Sequence, residues 1–141
     1  TAENQEMADR RIPILLQTPA AVRFVSVEPM LGPVDLTAVR LPDHLQPDWV
    51  YGMPHGITFD ALQPNESHIY DSENHLDWVI CGSESGPNRR PANIVWILSL
   101  KNQCVVAGVP FFLKQMEVGG RLVKMPKLDG QIWNQMPEIE P

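Results

Sequence analysis

Asp77-Trp78-Val79-Ile80-Cys81-Gly82-Ser83-Glu84-Ser85-Gly86-Pro87, followed after one intervening segment by Val109-Pro110-Phe111-Phe112-Leu113-Lys114-Gln115, decides the fold. Each stretch begins as a short apolar run without polar alternation, the pattern of a strand buried on both faces. Between them Ile94, Ile97, Leu98, Cys104 and Val105 follow helical spacing, with Pro91 just before the run and Gly108-Val109-Pro110 after it. A glycine that ends a helix and a proline two residues later punctuate a helix-to-strand turn. Residues 77–115 therefore read strand, loop, helix, strand, and a helix joining two buried strands implies a right-handed parallel crossover.

Working outward, Arg23-Phe24-Val25-Ser26-Val27 is a third apolar run, and it too runs into a carboxylate, Glu28. The expected architecture is α/β, with parallel strands near 22–28, 77–82 and 109–115 and crossover helices. Before the first strand, Asn4 is placed to cap a helix and Glu6 to complement its dipole. Pro13 either kinks that helix or starts a second short turn, and Thr18-Pro19 ends it. Thr1-Ala2-Glu3-Asn4 reads as the close of a strand turning into a helix, so the chain is expected to be a fragment of a larger protein, with residues 1–141 as one α/β domain. Residues 34–75, rich in proline and holding all four histidines, read as an insertion or long loop. Weak strand signals stand at Trp49-Val50-Tyr51 and Ile57-Thr58-Phe59. Residues 116–141 read as a short hairpin around Gly119-Gly120 and a tail.

The net charge of −6 opposes non-specific binding to nucleic acid, although a local basic patch could still bind an anion against that background. No stretch approaches the roughly 20 apolar residues of a membrane span, and no signal sequence is evident. Cys81 and Cys104 have no paired spacing, which argues against a disulfide framework or a zinc site and favours a reducing, cytoplasmic setting. His44, His55, His68 and His75 lack the spacing of a helical metal motif, and no metal ligands are assigned.

In parallel α/β folds, ligand and catalytic groups collect beyond the carboxyl ends of the strands. That rule makes Glu28, Glu84 and Lys114 the candidate catalytic residues, with Glu3, Asn4, Ser83, Ser85, Arg90 and Gln115 as candidate cofactor or substrate contacts. Gly82-Ser83-Glu84-Ser85-Gly86 is not a nucleophile elbow, because its centre is Glu84 where that motif needs serine. Glu84 is either a functional carboxylate or a structural acceptor in a tight loop. Arg89 and Arg90 suit an anion site near a helix amino end or an internal ion pair with Glu28 or Glu84. Lys114 can neutralise a carboxylate, bind an anion, or act as a base if desolvated. Glu3, Glu28 and Glu84 would serve a divalent metal only if their oxygens converge.

Glu3-Asn4-Gln5, Phe24-Val25-Ser26-Val27-Glu28-Pro29-Met30-Leu31-Gly32-Pro33, the stretch from Leu76 to Pro87, Arg90-Pro91, Gln103-Cys104, Ala107-Gly108-Val109-Pro110-Phe111-Phe112 and Lys114-Gln115 resemble a phage-associated family of unknown function, the gp thirty-seven and gp sixty-eight proteins. The resemblance covers residues 1–34 and 76–115. It implies a larger protein with a partial (β/α) barrel similar to those of radical S-adenosylmethionine enzymes, of which this chain is the carboxy-terminal portion. It also implies an iron–sulfur cluster and S-adenosylmethionine in the full-length parent, and none within this chain, since neither Cys81 nor Cys104 stands in the family's cysteine motif. Ser83 departs from the glycine usual at its place. Three functional expectations follow: a radical-enzyme-like parent to which this portion, inactive alone, contributes a charged ligand site; a non-enzymatic binding or assembly module; or a divalent-metal-dependent hydrolase. The expected partners are the missing amino-terminal part of the barrel and, through an exposed sheet edge, a second copy.

Overall fold

The computed structural model describes residues 1–46, 48, 56–64 and 74–138. The first helix, α1 (Gln5–Gln17), starts where the Asn4 side chain accepts a hydrogen bond from the Met7 amide at 3.0 Å, and Thr18 closes it. It buries Ala8, Ile12, Pro13 and Leu16 and stays one continuous helix through Pro13, so no second turn starts there. Asn93 caps the second helix, α2 (Ile94–Ala107), by accepting from the Val95 amide. The helix therefore begins later than Pro91 suggested, and it ends at Gly108 in the left-handed conformation at φ 73°.

The central sheet holds β1 (Phe24–Val27), β4 (Trp78–Gly82), β5 (Phe111–Val118) and β6 (Arg121–Lys124) in the order β1-β4-β5-β6. The first three are parallel and β6 returns antiparallel to β5. The chain is thus a mixed α/β protein with two helices among its described residues. The crossover from β4 to β5 is α2. The connection from β1 to β4 differs from the expected crossover helix: its described residues form two single-turn 3₁₀ helices, at Leu36–Ala38 and Asp43–Leu45, and a two-residue ladder of β2 (Val39–Arg40) with β3 (Thr58–Phe59).

Val25, Val27, Val79, Cys81, Phe111 and Leu113 form the buried face of the sheet and share one core with Ile12 and Leu16 of α1 and Ile97, Leu100 and Cys104 of α2. The other face carries Phe24, Ser26, Trp78, Ile80 and Phe112, all half-buried or exposed. Phe24, Trp78 and Phe112 stand in a row across it, with ring centroids 5.7 and 6.1 Å apart. Sequence alone had suggested strands buried on both faces.

Residues 34–46 and 56–64 contribute Val34, Leu36, Val39, Leu41, Phe59, Ala61 and Leu62 to the same core. Two glutamines fasten this segment. Gln5 accepts from the Asp35 amide at 2.6 Å and donates to its carbonyl at 3.2 Å, while Gln103 accepts from the Leu36 amide at 2.8 Å and donates to the Val34 carbonyl at 3.0 Å. Adjacent peptides of an extended chain point their polar groups to opposite sides, so one glutamine from each helix can satisfy one side. Trp49-Val50-Tyr51, His55 and His68 lie outside the described residues.

Beyond the β5–β6 turn, β7 (Lys127–Leu128) and β8 (Gln131–Ile132) pair across Asp129-Gly130, both at positive φ (53° and 80°). That is the backbone a two-residue hairpin turn demands. Trp133 is buried against Phe111, and Lys101 of α2 reaches Asp129 at 2.7 Å with its ammonium over the Trp133 ring. The segment read as tail thus folds back onto the core, and the Trp133 and Gln135 backbones bond to the amino-terminal half of β5. On the opposite side of the sheet, the Ala2 amide bonds to Ser26 on the outer side of β1.

Candidate functional site at the strand ends

Beyond the carboxyl ends of β1, β4 and β5, the residues singled out from sequence separate into two ion pairs joined by backbone. Glu28 follows β1 directly. After the cis Glu28–Pro29 peptide, the Met30 amide donates to the Gly82 carbonyl, which folds the chain across the end of β4. The Glu28 carboxylate lies over Gly82: a Cβ there would stand 3.1 Å from its Cδ and 3.2 Å from its Cγ. Only glycine leaves that seat open.

Lys114 Nζ approaches the two Glu28 oxygens at 3.1 and 3.2 Å, and Gln115 Nε2 donates to Oε1 at 3.3 Å. Successive strand residues normally point to opposite faces, so two neighbours meeting one carboxylate needs an irregularity. The register supplies it: Cys81 pairs with Leu113 but Gly82 with Gln115, leaving Lys114 as the extra residue of a β-bulge. Bulges re-aim side chains in this way. Gln115 is itself buried, bonds to the Ser83 carbonyl at 2.9 Å through its side chain, and accepts from the Ser83 amide through its own carbonyl.

Glu84 forms the second pair. It accepts from the Arg90 backbone amide at 2.8 Å and from the Arg90 guanidinium at 3.0 and 2.6 Å. The side-chain bonds from Arg90, aided by the bond from its backbone amide, bring Glu84 down to about 2, and Glu84 in turn raises Arg90. Of the two partners open to Arg90 on sequence grounds, the structure selects Glu84. Arg89 serves a separate purpose: it bonds to Glu117 of β5 at 3.0 Å and to the Gly120 carbonyl, tying the loop after β4 to the β5–β6 hairpin. Glu117 had no sequence signal, because the pair spans 28 residues.

The side chains of the remaining candidates fall outside this arrangement. Glu3 pairs with Arg11 at 3.0 Å, and a backbone hydrogen bond at Glu3 itself, more than Arg11, lowers its pKa. Asn4 is occupied as the helix cap. Ser85 is exposed in the loop. Ser83 is buried to 1% exposure and its hydroxyl has no hydrogen-bond partner. Among the described residues, no group of three or more His, Cys, Asp or Glu side chains could hold a metal ion. The convergence required of Glu3, Glu28 and Glu84 is therefore not met.

Nor do the thiols fit an iron–sulfur cluster, which is held by cysteine thiolates. Cys81 is fully buried, with Sγ 3.8 Å from the Met30 sulfur, and burial drives its pKa upward. Burial likewise pushes Cys104 up to about 12. Among the described residues no helix is long and apolar enough to cross a membrane.

The fold and strand-end cluster define a mixed α/β protein with its polar residues beyond the carboxyl ends of three parallel strands. The chain belongs to the family described as protein of unknown function (DUF5131), whose model matches residues 1–137. No curated protein and no solved structure matches it.

Proposed function

We propose that the strand-end cluster is part of the ligand-facing mouth of an α/β enzyme whose remaining strands come from sequence outside this chain. The observation that carries the reading is the meeting of Glu28 from β1 with Lys114 and Gln115 from β5 across the end of β4, over a glycine that leaves room for it. A structural ion pair needs neither a bulge nor residues from both flanking strands.

The finer architecture in this proposal is a partial (β/α) barrel. Strands β1, β4 and β5 lie side by side in chain order, and both helices share a core with one face of the sheet. Barrels are wound in this way, whereas doubly wound sheets carry helices on both faces. The Phe24, Ser26, Trp78, Ile80 and Phe112 face would then line the barrel interior, and the outer side of β1 would receive the missing amino-terminal strands, or a second copy. Membership of the gp thirty-seven and gp sixty-eight phage family, a cytoplasmic setting and a radical-enzyme-like chemistry belong to the same proposal and rest on the sequence resemblance. Any iron–sulfur cluster and the S-adenosylmethionine it serves would be held chiefly by residues outside this chain, because the two thiols here do not suit the task.

The test is on the intact protein, purified without oxygen and assayed for iron, acid-labile sulfide and reductant-dependent cleavage of S-adenosylmethionine. Cleavage that is lost with the cluster cysteines and reduced by Glu28→Gln or Lys114→Gln supports the proposal. A folded, cluster-free protein would sink the radical reading and favour a binding or assembly module. One observation already favours that second reading: Glu84 and Arg90 satisfy each other through three hydrogen bonds, as a structural loop clamp would.

A further inference from the structure

We propose that the outward face of α2 is a dimer interface, across which a second copy of this chain lays its own α2 antiparallel about a two-fold axis. The proposal is independent of any ligand at the strand ends.

The inner residues Ile97, Leu100 and Cys104 of α2 enter the core. On the opposite side Ile94, Val95, Ser99, Asn102, Val105 and Val106 are all exposed, Val106 to 89%, and none of them is charged. Lys101, the one charged residue of the helix, is buried and holds Asp129. A surface helix normally turns charged residues outward, whereas one that is apolar all round is covered on every side. The two flanks of α2 are taken within the chain: Gln103 holds residues 34–36 on one, and Lys101 holds Asp129 on the other. The open arc between them faces away from the sheet. Strands added beside β1 would extend the sheet and leave this arc bare, so its cover comes from another molecule.

The same face on a second copy fits it. A groove of about 770 Å³ runs beside the helix, walled by Leu98, Ser99 and Val106 on one side and by Thr37, Asp60 and Gln63 on the other. Gln63 fixes the far wall by donating to the Ala107 carbonyl at 3.0 Å. The helix is thus the wall of its own groove and the ridge that fills the partner's. Its exposed residues are also spaced symmetrically. About a two-fold axis level with Leu100 and Lys101, Val95 meets the partner's Val106 and Ser99 meets the partner's Asn102, and each contact occurs twice, as an isologous interface requires. Hydroxyl and amide each donate and accept, so these two polar residues can satisfy one another between the valines. Charge points the same way. Each copy carries a net −6 and repels another, and a face without charge is where two such molecules can close. One helix about 21 Å long and its groove cover less than the roughly 800 Å² per partner of a standard interface, so the dimer is weak and concentration-dependent.

The experiment is sedimentation equilibrium of the intact protein, from low micromolar to several hundred micromolar, which should show a monomer–dimer equilibrium with a dissociation constant in the micromolar range. Val106→Glu drives a carboxylate into the apolar contact and should raise that constant roughly tenfold or more. Circular dichroism should not change, because Val106 is 89% exposed and supports nothing within the chain. Val95→Glu combined with Val106→Lys sets opposite charges across the axis only if the helices run antiparallel. That double variant should associate more tightly than Val106→Lys alone and lose the advantage in high salt, while Val95→Glu with Val106→Glu should stay monomeric. A protein that is monomeric at several hundred micromolar overturns the proposal. So does a dimer that Val106→Glu leaves intact, including one formed through the outer side of β1, and so does a Glu–Lys variant that gains nothing over Val106→Lys.

Discussion

Replacing Gly82 with alanine should unseat Glu28. The new methyl carbon would lie 3.1 Å from Glu28 Cδ, 3.2 Å from Cγ and 3.3 Å from Oε1, so the carboxylate must retreat by a few tenths of an ångström. Its bond from Gln115 is already 3.3 Å long and would pass out of hydrogen-bonding range. The Lys114 contacts would lengthen too, at little cost, because that lysine is half exposed and water replaces what it loses. One lost hydrogen bond and modest overpacking sum to about 1–2 kcal/mol. Denaturant unfolding of the intact protein measures it, and a double-mutant cycle assigns it. In a Glu28→Ala background the obstacle is gone, so Gly82→Ala should then cost at most about 0.5 kcal/mol. An equal penalty in both backgrounds would refute the claim that this glycine exists to seat Glu28.

Three further outcomes are expected. Asp129→Asn keeps a residue tolerant of positive φ but removes the charge that Lys101 holds, and should cost about 1–2 kcal/mol, less than a fully buried pair because Asp129 is half exposed; hydrogen exchange should quicken across residues 127–133. Ser83→Ala removes a buried hydroxyl that bonds to nothing, so stability should hold or rise, and a loss above about 1 kcal/mol would show that the hydroxyl has a partner. Because Arg90 lowers Glu84 from an ordinary 4.5 to about 2, the stability linked to that carboxylate is full above 4.5 and disappears as pH falls toward 2; Arg90→Gln should return the Glu84 titration midpoint toward 4.5 by NMR.

Much of the central sheet was legible because its signals are local. Apolar runs mark β1, β4 and β5, Asn4 caps α1, and Gly108 closes α2. Strand-end position then brought Glu28, Lys114 and Gln115 forward, and the structure joins them. What escaped depends on contacts between distant residues. The packing of residues 34–46 hangs on Gln5 and Gln103, whose amides look like ordinary surface polarity in sequence. The bulge at Lys114 is a register event between strands and leaves no composition signal. Asp129-Gly130 is a recognised hairpin dipeptide, but its flanking pairs are too short to show alternation. Glu3 and Asn4 were attractive for their chemistry, yet local geometry engages them: one with Arg11, the other as a helix cap.

The twin glutamine clasp anchors residues 34–36 through their main chain, since within that tripeptide the Gln5 and Gln103 amides bond to backbone atoms only. A protein engineer could therefore treat it as a graft point: provided apolar side chains persist at Val34 and Leu36 and at the core positions Val39, Leu41, Phe59, Ala61 and Leu62, the rest of the connection could be lengthened or exchanged while the strand ends stay in place. The same insulation would let natural sequences vary the rest of this connection, outside those core positions, without retuning the cluster around Glu28.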